Sequence, residues 1–116
     1  MGEILGIARF RFREGRREDY LRLSEQANAI VAAKDSGTLQ YDLFLNDDQT
    51  ECMIVERYRD SEAAMEHAAN LGHLFDEVLA TVEIVHGELL GDASPELRAN
   101  LAGSDVPTLF TPYRPR

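Results

Sequence analysis

The sequence predicts one α+β domain in which helices cover a single face of an antiparallel sheet. Its 116 residues, 44% of them hydrophobic, are enough for one core and too few for two domains. Residues 4–12 and 38–46 alternate apolar and polar residues with a period of two, two further runs have the composition of strands, and two longer runs place apolar residues three and four apart. Their order is strand, helix, strand, strand, helix, strand.

The first half of the chain is predicted to form a strand, a helix and a hairpin. Residues 4–12 have apolar side chains at most even positions and arginines at odd positions near their end, which is typical of a strand. Residues 16–34 carry apolar side chains at helical spacing, and Gly37 follows shortly after them. Residues 38–46 alternate apolar and polar side chains, and a polar turn separates them from a further predicted strand over residues 51–59, so the two runs predict a hairpin.

The second half is predicted to form a broken helix, a strand and a short C-terminal extension. Asp60 has the chemistry of a helix N-cap, and Gly72 interrupts the helix that follows, which resumes to residue 79. Residues 81–90 form the fourth strand. Ser94 and Pro95 begin a short helix ending near residue 102, and residues 108–113 form an extended tail.

A β-α-β-β-α-β order predicts the ferredoxin-like split βαβ arrangement, in which two helices lie on one side of the sheet. The other face must then contact something. We expect Gln40, Phe44 and some of Arg9, Glu56 and Tyr58 on it, a mixture too apolar for water and too polar for a dry core. Such a face suits a homodimer whose sheets face each other around a partly open cavity.

Charge and composition exclude several classes of protein. The formal charge of −9 disfavours nucleic-acid binding, and we interpret the arginines near the first strand as an ion-pair patch. No apolar run approaches the ~20 residues of a membrane span, so no membrane partner is expected. The start, Met1 to Glu3, lacks the features of a signal peptide, and a lone cysteine forms no intrachain disulfide. We therefore expect a cytoplasmic protein.

Four segments of the chain, in order, carry a resemblance to a known family. They are residues 8–15 (ARFRFREG), 37–42 (GTLQYD), 55–60 (VERYRD) and 63–67 (AAMEH). This series resembles the antibiotic biosynthesis monooxygenase family, whose members have the dimeric α+β barrel fold. The resemblance covers about residues 4–91 of a single domain spanning residues 1–116. Residues 92–116 are similar to an extension that some members use to reach the partner subunit.

The resemblance implies that O₂ oxidises a small phenolic or quinol compound without metal, haem or flavin. A phenolate can itself pass an electron to O₂, so the protein need only bind the ring, remove a proton and exclude water. The implied partners are a second copy of the chain, a small aromatic substrate and O₂. Haem degradation is disfavoured, because the chain has no Trp and has Ala8-Arg9 where that branch has Asn. The alternative is a non-catalytic ligand-binding or stress-associated dimer of the same fold.

His67 and Glu56 are the candidate catalytic residues. His67 lies on the apolar face of its helix, where it either acts as a base or hydrogen-bond donor or is simply held by a buried neighbour such as Glu56 or Tyr41. Glu56 lies between apolar residues of a strand. It is either paired with an arginine such as Arg9 or is a partly desolvated base.

The other candidates are substrate-binding residues. Tyr41, Tyr58 and Arg9 would be polar partners of the substrate, and Phe44 and Phe75 would line the cavity. Each aromatic residue has packing in the core as its alternative. The histidines have no metal-ligand spacing, so we expect no metal site. Cys52 has no evident helper base, so we expect no catalytic thiolate.

Overall fold

The elements follow one another in the predicted order, and one short strand is added at the end. The computed structural model describes residues 2–104 and 106–114. The predicted domain and its C-terminal extension also include Met1, Asp105, Pro115 and Arg116, which lie outside the described residues. None of the helices formed by the described residues is long and apolar enough to cross a membrane. The elements are β1 (Ile4–Phe12), α1 (Arg17–Lys34), β2 (Thr38–Leu45), β3 (Glu51–Tyr58), α2 (Ser61–Leu71), α3 (Phe75–Leu79), β4 (Val82–Leu90), α4 (Pro95–Leu101) and β5 (Thr108–Phe110).

The strands form one open sheet in the order β2-β3-β1-β4-β5. The pairs β1·β3, β1·β4 and β2·β3 are antiparallel, as the ferredoxin-like arrangement requires. β5 pairs in parallel with β4, which makes the sheet mixed rather than wholly antiparallel. The α+β, ferredoxin-like prediction is confirmed, and a barrel completed by a second copy stays a prediction.

The two faces of the sheet are separated by the period of two along each strand. Even positions of β1 and β3 point to the helices, where Ile4 and Tyr58 are buried in one core cluster and Cys52 in another. Odd positions point to the other face, which we call the open face. There Arg9 and Arg11 contact Glu51.

The strand register settles a point that the sequence left open. Glu56 and Tyr58 face the helices, whereas Arg9 lies on the open face opposite Met53. Phe44 also lies opposite Met53, from β2, so it is on the open face as predicted. The expected pair of Arg9 with Glu56 does not form, because the two side chains point to opposite faces and Arg9 contacts Glu51 instead.

The C-terminal extension packs on its own domain. Ala93 and Leu97 are buried against Ile4 and Tyr58. Ser94 caps α4 as predicted, since its Oγ accepts a hydrogen bond of 3.1 Å from the backbone N–H of Leu97. β5 then adds to the edge of β4. A reach of the last residues toward a partner subunit stays a prediction.

Candidate active site

A buried histidine held between two carboxylates forms the centre of the candidate site. Nδ1 of His67, on α2, lies 2.7 Å from Oδ2 of Asp35, which directly follows α1. Nε2 of the same ring lies 3.3 Å from Oε1 of Glu56 on β3. A helix, a strand and the residue after another helix therefore each supply one member of the set.

Asp35 is fixed by several donors. Oδ1 accepts a hydrogen bond of 2.7 Å from Nδ2 of Asn70, and Oδ2 accepts one of 2.8 Å from Oγ1 of Thr38. Burial by itself would raise the pKa of Asp35, but the hydrogen bonds from Asn70, His67 and Thr38 outweigh it and lower the pKa. Because an ionised carboxylate only accepts, Nδ1 of His67 carries the proton in this contact.

His67 is biased toward its charged form. Burial by itself would lower the pKa of His67, but the hydrogen bonds and charges of Glu56 and Asp35 outweigh it and raise the pKa. The ring is flanked by Tyr41 and Tyr58, whose ring centroids are 5.1 and 5.2 Å away. Burial, followed by the charge of Glu56, raises the pKa of each tyrosine, so both hydroxyls keep their protons and can donate.

Glu56 is the carboxylate of the set that reaches open space. Its side chain is 20% exposed, against 1% for Asp35. Gly6 lies directly opposite it in the pairing of β1 with β3. A Cβ atom at Gly6 would lie only 2.9 Å from Oε2 of Glu56. Glycine at this position therefore leaves room for the carboxylate in its observed position.

Two cavities meet at Glu56 and His67. The first, which we call lobe 1, has a volume of about 460 Å³ and lies between the sheet and the helices α1, α2 and α3. The second, lobe 2, has a volume of about 650 Å³ and lies between the sheet, α2, α4 and the segment after α4. The residues that line both lobes are Phe10, Ile54, Glu56, His67, Ala68 and Phe75. The polar pair thus stands in a mainly apolar surrounding.

Five of the seven residues predicted for the site lie at these lobes. Tyr41 lines lobe 1, Tyr58 lines lobe 2, and His67, Glu56 and Phe75 line both. Arg9 and Phe44, the remaining two, are not brought to the lobes and lie on the open face. Whether any of the seven takes part in catalysis or binding stays a prediction.

Sequence reasoning missed Asp35 and Asn70. Both are polar residues near helix ends, where solvent exposure is the usual expectation. One signal was present for Asp35, because a negative charge just after the C-terminus of a helix is opposed by the helix dipole. An acidic residue at that position therefore suggests a partner elsewhere in the fold.

Other titratable groups offer less chemistry. Among residues 2–104 and 106–114, no three His, Cys, Asp or Glu side chains are grouped so that they could hold a metal ion. Cys52 is buried, and burial raises the pKa of its thiol to about 11. A thiolate at neutral pH is therefore disfavoured.

Comparisons with known proteins agree on the family and the fold. A family model for antibiotic biosynthesis monooxygenases matches residues 4–83. No curated protein matches the chain. Among solved structures, MupZ from Pseudomonas fluorescens has a TM-score of 0.81 at 22% identity, over 100% of this chain and 90% of that one.

Two further structures are similar over a shorter part of the chain. Protein SO0527 from Shewanella oneidensis has a TM-score of 0.67 at 25% identity, over 76% of this chain and 88% of that one. SnoaB from Streptomyces nogalater, described as a cofactor-independent oxygenase, has a TM-score of 0.65 at 17% identity, over 77% of this chain and 91% of that one. At the lower identities the likeness shows the fold alone.

Proposed function

The chain belongs to the antibiotic biosynthesis monooxygenase family, and we propose that it is a cofactor-independent monooxygenase that oxidises a small phenolic or quinol compound with O₂. The observation that carries the proposal is the Glu56–His67 pair, placed at the junction of two mainly apolar lobes. The likeness to SnoaB, a cofactor-independent oxygenase, supports it at the level of the fold. Volumes of this size suit small aromatic ligands.

The first step is removal of the phenolic proton by Glu56. Transfer of the proton to Glu56 moves one negative charge from that carboxylate to the new phenolate. The His67 cation then balances the new phenolate, while Asp35 holds the imidazole ring in place. Tyr41 lines lobe 1 beside His67, where its hydroxyl orients the phenolate oxygen.

The second step is the reaction of the phenolate with O₂. The phenolate gives one electron to O₂, and the resulting radicals combine to form a C–O bond at a ring carbon that bears hydrogen, opposite the oxygen in a phenol and next to it in a quinol. Loss of the hydrogen on that carbon and cleavage of the O–O bond then give a quinone, while the proton held by Glu56 completes the departing water. One oxygen atom of O₂ stays in the product and the other leaves as water, so no external reductant is required. Apolar walls keep water from the intermediates.

Oxygen uptake with labelled O₂ tests the proposal. The panel contains phenol, 1-naphthol and 1,4-dihydroxynaphthalene, each incubated with wild-type protein, with His67→Ala and without protein. The expected result is that wild type accelerates O₂ uptake for at least one compound, that His67→Ala loses most of the acceleration, and that 1-naphthol turnover in ¹⁸O₂ adds one labelled atom to the quinone. Wild-type and His67→Ala rates equal to the uncatalysed rate for every compound would overturn the proposal for this panel.

A ligand-binding protein without catalytic activity is the second candidate. The observation that favours it is that both ring nitrogens of His67 already face carboxylates, as in a histidine that only stabilises the core. This candidate predicts saturable binding of the same compounds with no gain in O₂ uptake. Calorimetric titration beside the oxygen measurement distinguishes the two.

We also propose that the open face forms a homodimer. Phe44 and Met53 lie opposite each other on that face and are 53% and 37% exposed, which is costly in water. Phe44→Asp is therefore expected to weaken association. Phe75→Asp is a matched control, because Phe75 is similarly exposed on the helix side of the sheet. Sedimentation equilibrium showing only 13.0 kDa particles of wild-type protein at micromolar concentration would contradict the dimer.

A further inference from the structure

The C-terminal extension builds one wall of lobe 2. Six lining residues belong to α4 or to the segment after it, namely Leu97, Asn100, Leu101, Ser104, Val106 and Pro107. Lobe 1 has no lining residue beyond Leu79 among the described residues. The family model ends at residue 83, so this wall lies outside the part of the chain that the model matches. The matched domain therefore supplies one side of lobe 2, and the C-terminal extension supplies this wall.

This wall is fixed in place by packing and hydrogen bonds. Leu97 is buried in the core cluster that includes Ile4 and Tyr58. The backbone N–H of Ser94 donates a hydrogen bond of 2.9 Å to Oγ of Ser61 at the start of α2. Gly87 of β4 lies so close to the wall that a Cβ atom there would be 2.7 Å from Cγ1 of Val106. A wall held at these points bounds a cavity with a defined shape.

The chemistry of lobe 2 changes along its length. Near the junction with lobe 1 its walls are buried and largely apolar, with Gly6, Ala64 and Leu97 among them. Beyond Glu56, His67 and Tyr58, the polar residues that line it are Glu88, which is half-buried, and His86, Asn100 and Ser104, which are exposed. A ligand that fills lobe 2 therefore meets apolar groups near the junction and polar groups toward solvent.

We infer that lobe 2 is a second binding site, and that the substrate is an elongated phenol with an apolar substituent next to its hydroxyl group. The ring occupies lobe 1, the hydroxyl faces Glu56 at the junction, and the substituent extends through lobe 2 and ends in a polar group at the rim. The position of the hydroxyl rests on the proposed function. Occupation of lobe 2 by an apolar chain does not, since it is a statement about binding alone.

Isomeric phenols test the geometry. 2-Octylphenol places its chain beside the hydroxyl, whereas 4-octylphenol, with the same composition, places it on the opposite side of the ring. 2-Ethylphenol has no chain long enough to fill lobe 2. Calorimetric titration under argon measures binding without turnover. We expect wild type to bind 2-octylphenol about tenfold more tightly than 4-octylphenol, since burial of each CH₂ group strengthens binding severalfold.

Two variants fill lobe 2 without touching lobe 1. Ala8 and Leu101 line lobe 2 only, so Ala8→Phe and Leu101→Trp each place a large side chain in it. Ala33→Phe, on the exposed surface of α1, is the control. We expect both filled variants to bind 2-octylphenol no more tightly than 2-ethylphenol, while the affinity for 2-ethylphenol stays within about twofold of wild type. Thermal unfolding identifies a variant that does not fold. In that case the binding measurements on the other filled variant test the second binding site.

The outcomes separate this inference from the proposed function. Equal affinity of wild type for the two octylphenols, or an unchanged preference in the folded filled variants, overturns the second binding site. Oxidation of 2-ethylphenol or 1-naphthol would leave the proposed function standing in that case. Conversely, wild type could prefer 2-octylphenol, and the filled variants could lose that preference, without any O₂ uptake. That result would support the second binding site and overturn the proposed monooxygenase activity.

Discussion

Two glutamates of β3, five residues apart, show how differently the two faces of one sheet are used. Glu51 lies on the open face, where it contacts Arg9 and Arg11 at 2.7 and 3.3 Å. Glu56 lies on the helix face, 3.3 Å from His67, at the junction of the two lobes. Their side chains are similarly exposed, at 16% and 20%. The two glutamates therefore differ in their charged partners and in the surfaces around them, and they do not differ in burial.

The nature of each partner explains the contrast. Arginine keeps its charge at every ordinary pH, so Glu51 is tied into a permanent ion pair, and the hydrogen bond from Arg9 leads in lowering the pKa of its carboxyl. Histidine changes its charge near neutral pH, so the pair at Glu56 can exchange protons. Residues an odd number of positions apart on a strand point to opposite faces of the sheet. The structural ion pair of Glu51 and the candidate catalytic pair of Glu56 therefore lie on opposite faces.

Replacing each glutamate by its amide gives the largest expected difference. Glu56→Gln removes the proposed proton acceptor and is expected to lower the rate of O₂ uptake by about 10²- to 10⁴-fold. Glu51→Gln is the matched control on the open face and is expected to keep the rate within about threefold, since Glu51 lines neither lobe. Steady-state rates with the same phenol check both, and equal rates for the two variants would contradict the contrast.

Removing an aspartate from each side of the sheet compares their contributions to stability. Asp35→Ala leaves His67, Asn70 and Thr38 without their shared acceptor and is expected to lower the free energy of unfolding by about 3 kcal/mol. Asp42→Ala, on the open face of β2, removes the acceptor of one hydrogen bond, from Gln40, and is expected to change it by less than about 0.5 kcal/mol. Urea titration measures both. A small effect of Asp35→Ala would mean that His67 is held without it.

A smaller effect is expected at Gly6, which makes room for Glu56. The methyl group of Gly6→Ala meets Oε2 of Glu56, so the carboxylate must move, at a cost of about 1–2 kcal/mol in unfolding free energy. O₂ uptake is expected to fall with it. Gly2→Ala is the control, because no atom lies within 4 Å of a Cβ atom there. Unchanged stability and rate in Gly6→Ala would show that Glu56 tolerates displacement.

The smallest expected effect is a pH dependence confined to the helix face. The raised pKa of His67 stabilises the fold below its unfolded value of 6.5, and this stabilisation is lost as the pH rises through the higher native pKa. The stability of wild type relative to His67→Gln should therefore be greatest below pH 6.5 and decrease above it. Urea titrations across this range measure the difference, and a difference that grows with pH would contradict the assignment.

Local patterns were enough to predict most of the fold. Alternation marked β1 and β2, the composition of the chain marked β3 and β4, helical spacing marked α1 and α2, and Ser94 marked the start of α4. β5 was expected only as an extended tail. Its three residues carry too little pattern to distinguish a strand from a loop, and its pairing is decided by where α4 places it.

The site was harder to predict, because it depends on contacts between distant parts of the chain. His67 and Glu56 were chosen for their residue types and for their apolar surroundings, and the structure brings them together. Arg9 was paired with the wrong glutamate, since the sequence does not reveal the register that sets it opposite Met53. Asp35 lies 32 positions from His67, and only the packing of the fold brings the two side chains into contact.

The short strand β5 also affects how the molecule behaves at high concentration. A bare strand edge offers a row of backbone N–H and C=O groups to which another chain can add, and this is a common start of aggregation. β5 occupies part of that row along β4, at Glu88, Leu89 and Leu90. The segment that forms a wall of lobe 2 therefore leads directly into a strand that shields the sheet from edge-to-edge growth.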